Sequence, residues 1–227
     1  ACHRRLAKMI QPGITTMQID RYADAFLKKN GAKSEQYGYN GYQYATCASI
    51  NDEICHGFPR ETPLKRGDLV TIDMVVNLNG ALADSAWTYA VNEINDAARK
   101  LMDVTKNSLY IGIEQAVIGN RLGDIGHAIQ TYVEGEGYSV VRDFTGHGIG
   151  KNIHEAPQVF HFGSPGRGVR LKEGMVITIE PMVNAGTWQS KMDDNRWTAR
   201  TVDGKLSAQY EHTIAITKNG PVVLTEQ

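Results

Sequence analysis

The chain has 227 residues, a formal net charge of −1 and 22% charged side chains. That is long enough for a sizeable core, and it gives no field aimed at nucleic acid or at an anionic membrane. No run approaches the roughly 20 apolar residues of a membrane span, and the first residues are polar and basic, unlike a signal peptide. Three cysteines, Cys2, Cys47 and Cys55, with no CxxC among them, form neither a disulfide framework nor a zinc ribbon and fit a reducing cytosol.

Leu6, Met9 and Ile10 make residues 1–11 an amphipathic helix that reads as already under way, so the sequence is expected to lack a few native N-terminal residues. Gln11-Pro12-Gly13 stops it. Thr15 with Gln18 forms a capping box for a second helix carrying Ile19, Tyr22, Ala23, Phe26 and Leu27 at helical spacing, ended by Asn30-Gly31. Residues 35–48, rich in Tyr and Gly, predict a loop with exposed aromatics. A short segment from Ile50 ends in Phe58-Pro59, and Leu64 to Asp68 turns into a hairpin running from Val70 to Asp84. Its Val, Ile and Thr favour a pleated, half-buried surface, and Asn79-Gly80 is turn chemistry. A turn over Asn77 to Gly80 sets Asp73 directly opposite Asp84. Two bare carboxylates that close in a dry place need a proton or a cation between them. Residues 93–118 predict a long helix with Ala97, Leu101, Val104 and Leu109 on one face.

The second half repeats the first. Gly13, Gln18-Ile19 and Asn30-Gly31 have counterparts 106 residues later in Gly119, Asp124-Ile125 and Glu136-Gly137. Leu64-Lys65-Arg66-Gly67 and Val70-Thr71-Ile72-Asp73 recur 107 residues later as Leu171-Lys172-Glu173-Gly174 and Ile177-Thr178-Ile179-Glu180. His56-Gly57-Phe58-Pro59 resembles His154-Glu155-Ala156-Pro157 at an offset of 98. The repeat, about 11–90 and 117–217, predicts an α+β chain built as duplicated α/β halves, each with helices on an antiparallel sheet, closing around a pseudo-two-fold axis. No linker divides it, so residues 1–227 are expected to form one domain. Asp73 and Glu180 become symmetry mates, and Glu211, on the return strand, is expected to be the mate of Asp84. Four carboxylates near one axis repel strongly without cations. His147, set among Gly146, Gly148 and Gly150, is a fifth candidate ligand. Five protein ligands exceed the usual zinc complement of four and suit two divalent ions, with manganese, ferrous iron or cobalt as plausible as zinc. Such a pair lowers the pKa of bound water.

Taken together, Cys55-His56-Gly57-x-Pro59, Asp73 with Asp84, Gly146-His147-Gly148-Ile149-Gly150, His154-Glu155-x-Pro157, Glu180-Pro181 and Gln209-Tyr210-Glu211-His212-Thr213 resemble the short bacterial type I methionine aminopeptidases of peptidase family M24, over essentially the whole chain. The resemblance implies the pita-bread fold and metal-dependent hydrolysis of the first peptide bond to release N-terminal methionine. It implies two divalent ions (cobalt, manganese, iron or zinc), with Asp73 on one, His147 and Glu180 on the other, and Asp84 and Glu211 bridging. Glu180 doubles as general base, His154 donates to the scissile carbonyl oxygen, and His56 hydrogen-bonds the substrate near the scissile amide. Tyr39, Tyr42, Cys47 and Trp197 fall where the family places its methionine pocket, and aromatic and sulfur surfaces suit a thioether. The implied partners are N-terminal Met peptides and nascent chains, with ribosome association, in a cytoplasmic monomer. Asn40 and Ile153 depart from the His and Phe of many members, and Trp87 is a local variation. The rival readings are a proline-directed aminopeptidase or dipeptidase of the same fold, and a metal-free binding module.

Overall fold

The first half contains helices α1 (Cys2–Met9) and α2 (Thr16–Lys29), then strands β1 (Lys33–Ser34), β2 (Cys47–Ile50), β3 (Glu53–Cys55), β4 (Leu69–Leu78) and β5 (Ala81–Ala90). The second half contains α3 (Asp96–Glu114) and α4 (Leu122–Gly135), then β6 (Ser139–Val140), β7 (Gly146–Gly148), β8 (Glu155–Val159), β9 (Val176–Ile179), β10 (Met182–Asn184), β11 (Ser190–Met192), β12 (Ala199–Thr201), β13 (Ser207–Gln209), β14 (His212–Thr217) and β15 (Gly220–Val223). The computed structural model describes residues 1–226. Both second helices start on a local signal. The Thr15 hydroxyl accepts from the Gln18 N–H at 3.1 Å while the Gln18 amide oxygen accepts from the Thr15 N–H at 2.9 Å. In α4 the Asp124 carboxylate takes the Arg121 N–H at 2.6 Å. Each helix ends at a glycine in the left-handed region, Gly31 (φ 73) and Gly137 (φ 85), where a Cβ would clash with the following carbonyl.

Strand β4 is the spine of the first half, with β5 along one side and β1 and β2 in succession along the other. Strand β9 plays the same part in the second half, between β14 and β7, with β15 and β8 outermost. Leu6, Ile19 and Ala23 of the first two helices bury against Val70, Ile72 and Met74. Leu101, Leu109, Ile125 and Ile129 of the next two bury against Ile177, Ile179 and Ile214. The buried stripe of α3 begins at Ala98; Ala97, expected there from the sequence, is exposed.

The strand pairings refine the repeat. Ile50 pairs with Val70, and Gly148 with Ile177. Mates on β2 and β7 therefore lie 98 residues apart, the offset between His56 and His154. Two expectations are corrected. The hairpin turns on two residues, not four, because Asn79 (φ 54) and Gly80 (φ 87) are both left-handed, the requirement of a type I′ turn whose twist matches the strands. Leu78 then pairs with Ala81, Asp73 with Ala86, and Asp84 with Val75. The two aspartates are diagonal rather than opposite, still on one face because the slip is even.

The second correction concerns the mates. Strands β5 and β13–β14 run side by side across the axis through an antiparallel bridge between Trp87 and Tyr210. The Asp84 N–H donates to the Thr213 hydroxyl at 2.9 Å, and that hydroxyl donates to the Asp84 carbonyl at 2.8 Å. The same exchange is made by Thr88 with Gln209, at 3.0 and 2.8 Å. Thr88 and Thr213 are therefore mates, and so are Asp84 and Gln209; Glu211 is the mate of Ala86. The duplicated frame is symmetric and keeps Asp73 as the mate of Glu180, while Asp84 and Glu211 have no carboxylate mates. The Trp87 ring takes up the local bulk by packing edge-on to Tyr210 at 4.8 Å, with the Lys106 ammonium 5.1 Å from its centre.

Candidate metal centre

Inward-facing side chains of both halves meet in a cleft of about 390 Å³. Asp73 of β4 and Asp84 of β5 come from the first half; His147 of β7, Glu180 just past β9 and Glu211 between β13 and β14 come from the second. One ligand atom each from Asp84, His147 and Glu211 lies within 4.8 Å of the others. Glu180 stands beside them, with its Oε1 3.6 Å from His147 Nε2, the same distance as that nitrogen keeps from Asp84 Oδ2. Asp73 makes a side-chain contact with Asp84. All five therefore line one cleft, with three converging most closely.

The glycines around His147 serve close approach. A Cβ on Gly146 would collide with the Thr178 carbonyl, and one on Gly148 with the Ala156 carbonyl, so β7 packs tightly enough to project the imidazole into the cleft. The His147 Nδ1 lies 3.0 Å from the Gly148 carbonyl. That carbonyl can only accept, so Nδ1 carries a proton and Nε2 is the nitrogen aimed at the carboxylates, able to face a cation once it gives up its own proton. Glu180 is fixed from two sides, accepting from the Thr178 hydroxyl at 2.8 Å and from the Gln209 amide at 3.3 Å.

The electrostatics identify what the cluster lacks. Burial, reinforced by Asp84 and Glu180, pushes both Asp73 and Glu211 well above the usual carboxylate range. Burial lifts Glu180 to about 7 against the pull of His147. Burial opposes a charge on His147, but the nearby Asp84 and Glu180 carboxylates outweigh it and raise the imidazole to about 9. Asp84 Oδ1 and Glu211 Oε1 are buried with no hydrogen-bond donor among the described residues. Crowded carboxylates that hold protons, and orphaned oxygens aimed at one point, are the donor set of a cation site. The residues present therefore fit divalent metal.

Around this centre, His154 reaches the cleft from the loop after β7, its Nδ1 2.9 Å from the Tyr39 hydroxyl and its ring 4.4 Å from that of His147. Burial, then the His147 charge, lowers its pKa. His56 sits in the left-handed region (φ 55), a conformation costly for a non-glycine residue and concentrated at functional sites. Its ring packs edge-on against Phe144 at 5.5 Å, and burial lowers it to about 4. The predicted pocket residues Tyr39, Tyr42, Cys47 and Trp197 all line the cleft. The loop of exposed aromatics is corrected, since Tyr37 alone of its tyrosines is fully in solvent. Tyr42 is buried, donating toward the Thr46 and Gly57 carbonyls, and it lies edge-on to Trp197 at 4.9 Å. Cys47, paired with Asp73 across the sheet, has a thiol that burial keeps protonated.

The profile of metallopeptidase family M24 matches residues 1–218. Methionine aminopeptidase 1 of Bacillus subtilis is 52% identical over 98% of this chain and 90% of its own length. The chain belongs to metallopeptidase family M24 and, within it, to the methionine aminopeptidases. The crystal structure of methionine aminopeptidase from Rickettsia prowazekii superposes with a TM-score of 0.98 at 40% identity, covering 99% of this chain and 91% of that one. The Thermotoga maritima methionine aminopeptidase gives the same TM-score at 42% identity, over 100% and 91%. The fold is therefore the pita-bread fold.

Two residues at the centre of this metallopeptidase were given no role by the sequence reading. Gln209 touches Glu180 and was detectable as the strand neighbour, two positions before Glu211, that points to the same face. His161 is fully buried and accepts the Glu180 N–H on its Nε2 at 3.0 Å; nothing in its surroundings in sequence signals that contact.

Proposed function

We propose that this chain hydrolyses the first peptide bond of peptides and nascent chains to release N-terminal methionine, using a pair of divalent cations. The convergence of Asp84, His147 and Glu211 from the two halves, with Asp73 and Glu180 beside them, carries the reading. Four carboxylates balance two dications, and the mix of oxygen donors with one imidazole suits manganese, iron, cobalt or zinc. Such cations supply Lewis acidity and lower the pKa of water. Each half contributes ligands, so the two halves act as one catalytic domain.

The chain's own groups account for the rest. The Thr178 and Gln209 hydrogen bonds aim the Glu180 carboxylate, and burial strengthens its hold on a proton, as a general base requires. His154, neutral at pH 7, offers one ring N–H to the scissile carbonyl oxygen, an oxyanion contact. His56, held by its backbone and by Phe144, faces the peptide beside it. The methionine side chain enters between Tyr39, Tyr42, Cys47 and Trp197, a surface of rings and sulfur that suits a polarizable thioether. The free α-amino group would sit at the metal pair, which selects chain ends over internal bonds.

The test is release of methionine from a Met-Ala-Ser peptide after chelation and again with manganese, cobalt, iron or zinc restored. Metal-restored release is expected. Cleavage of Xaa-Pro peptides alone would move the chain to a proline-directed activity, and failure to bind dications would remove the metal reading.

A further inference from the structure

Tyr39 does more than line the pocket. It lies in a turn whose neighbours Gly38 (φ 86), Asn40 (φ 48) and Gly41 (φ 84) are all left-handed. The Tyr39 side chain of this turn lines the cleft. Its N–H is held by the Gln36 carbonyl at 3.0 Å, and its ring packs on the apolar cluster of Val75, Leu82, Ile149 and Ile153. The ring is anchored, and its hydroxyl has a single partner among the described residues, Nδ1 of His154 at 2.9 Å. His154, by contrast, sits in a loop without regular structure. Its ring makes no other hydrogen bond among the described residues, so the Tyr39 hydroxyl is what fixes the imidazole.

A neutral imidazole has one N–H, and which nitrogen bears it is set by the partner of the other. A phenol is a good donor and a poor acceptor, because its lone pair is drawn into the ring. An imidazole nitrogen is a good acceptor. The stronger arrangement is Tyr39 O–H donating to His154 Nδ1, which leaves the proton on Nε2. We propose that Tyr39 is a positioning residue whose hydroxyl holds His154 in the tautomer and orientation that present Nε2–H to the substrate carbonyl. This rests on the reading of His154 as the oxyanion donor. It couples specificity to turnover, since the side chain that walls the methionine pocket also sets the donor.

The test combines Tyr39→Phe, which keeps the ring, with His154→Ala and the double variant, each assayed on Met-Ala-Ser with metal restored. Tyr39→Phe is expected to lower kcat by roughly 2- to 10-fold, the loss of one hydrogen bond, with KM within about 2-fold because the wall remains. In the His154→Ala background the same change is expected to cost nothing more, since a residue acting through His154 has nothing left to position. Nitrogen-15 spectra of the zinc-loaded enzyme, with His154 assigned by its loss in His154→Gln, are expected to show Nδ1 bare and Nε2 protonated. In Tyr39→Phe the two should shift toward an average of tautomers. A protonated Nδ1 in the wild type, unchanged kcat in Tyr39→Phe, or fully additive losses in the double variant would overturn the proposal while leaving the role of His154 intact. Wild-type turnover in His154→Ala would overturn that role and this proposal with it.

Discussion

The imidazole of His147 offers a direct test of the electrostatics. Its folded pKa is raised from 6.5 to about 9 by Asp84 and Glu180. Between those values the folded chain holds a proton that the unfolded chain has released. The stabilisation is therefore fully present below pH 6.5 and is lost as pH rises through 9. At about 1.4 kcal/mol per pH unit the loss is roughly 2–3 kcal/mol between pH 6.5 and 9. For a chain of this size that lowers Tm by about 5–10 °C. The assay is thermal unfolding of chelated protein, wild type against His147→Gln, at half-unit pH intervals. The difference between the two cancels the groups that do not feel His147, including His3, His56 and His212, whose burial lowers them to about 4. Restored metal needs the bare Nε2, so its stabilising effect should grow over the same window. A difference in Tm that stays flat from pH 6.5 to 9 would refute the placement of His147 between those two carboxylates.

Asp84→Ala and Glu211→Ala each remove a group at the point of convergence. Both are expected to abolish methionine release and weaken metal retention, measured by metal analysis after dialysis. His154→Ala is expected to lower turnover by about 10²- to 10³-fold while retaining metal, the usual cost of one oxyanion donor; wild-type turnover in metal-loaded protein would sink that role. Glu53 is a fully buried carboxylate held by Arg60 at 2.6 Å, by Arg200 at 2.6 Å and by the Ile50 N–H. Arg200 also grips Asp52 and Asp193, tying the strand that leads to His56 to the loop that carries Trp197. Arg200→Ala is expected to cost about 3 kcal/mol in denaturant melts, the low end for breaking a buried pair because Arg60 remains. A cost below about 1 kcal/mol would mean that water replaces it.

The sequence was most informative where chemistry is local. The Thr15–Gln18 box, the Asn30-Gly31 stop and their echoes 106 residues later are short-range signals whose partners lie within one turn of helix. Together they made the duplicated fold legible. Tyr42 was misread because part of its cover is Trp197, 155 residues away, and no local pattern reports such a contact. His161 stayed invisible for the same reason, as its role is a hydrogen bond to the backbone of Glu180.

The error in the hairpin register is instructive because it did no harm to the acids. Reading four turn residues where the chain uses two displaced the partner of Asp73 from Ala86 to Asp84. Side chains alternate with a period of two, so an even slip changes partners and preserves faces, whereas an odd slip would have set Asp73 and Asp84 on opposite faces. Both aspartates still reached the cleft. What the slip concealed was the mate of Asp84. The true pairing assigns it to Gln209, an amide that donates to Glu180 where a carboxylate would repel it. The duplicated frame supplies equivalent inward positions, and the substitutions between them turn a symmetric scaffold into an asymmetric centre. Asp84 is set against Gln209, Ala86 against Glu211, and Ser49 against His147. The fold could be read from what repeats, and the chemistry lies in what does not.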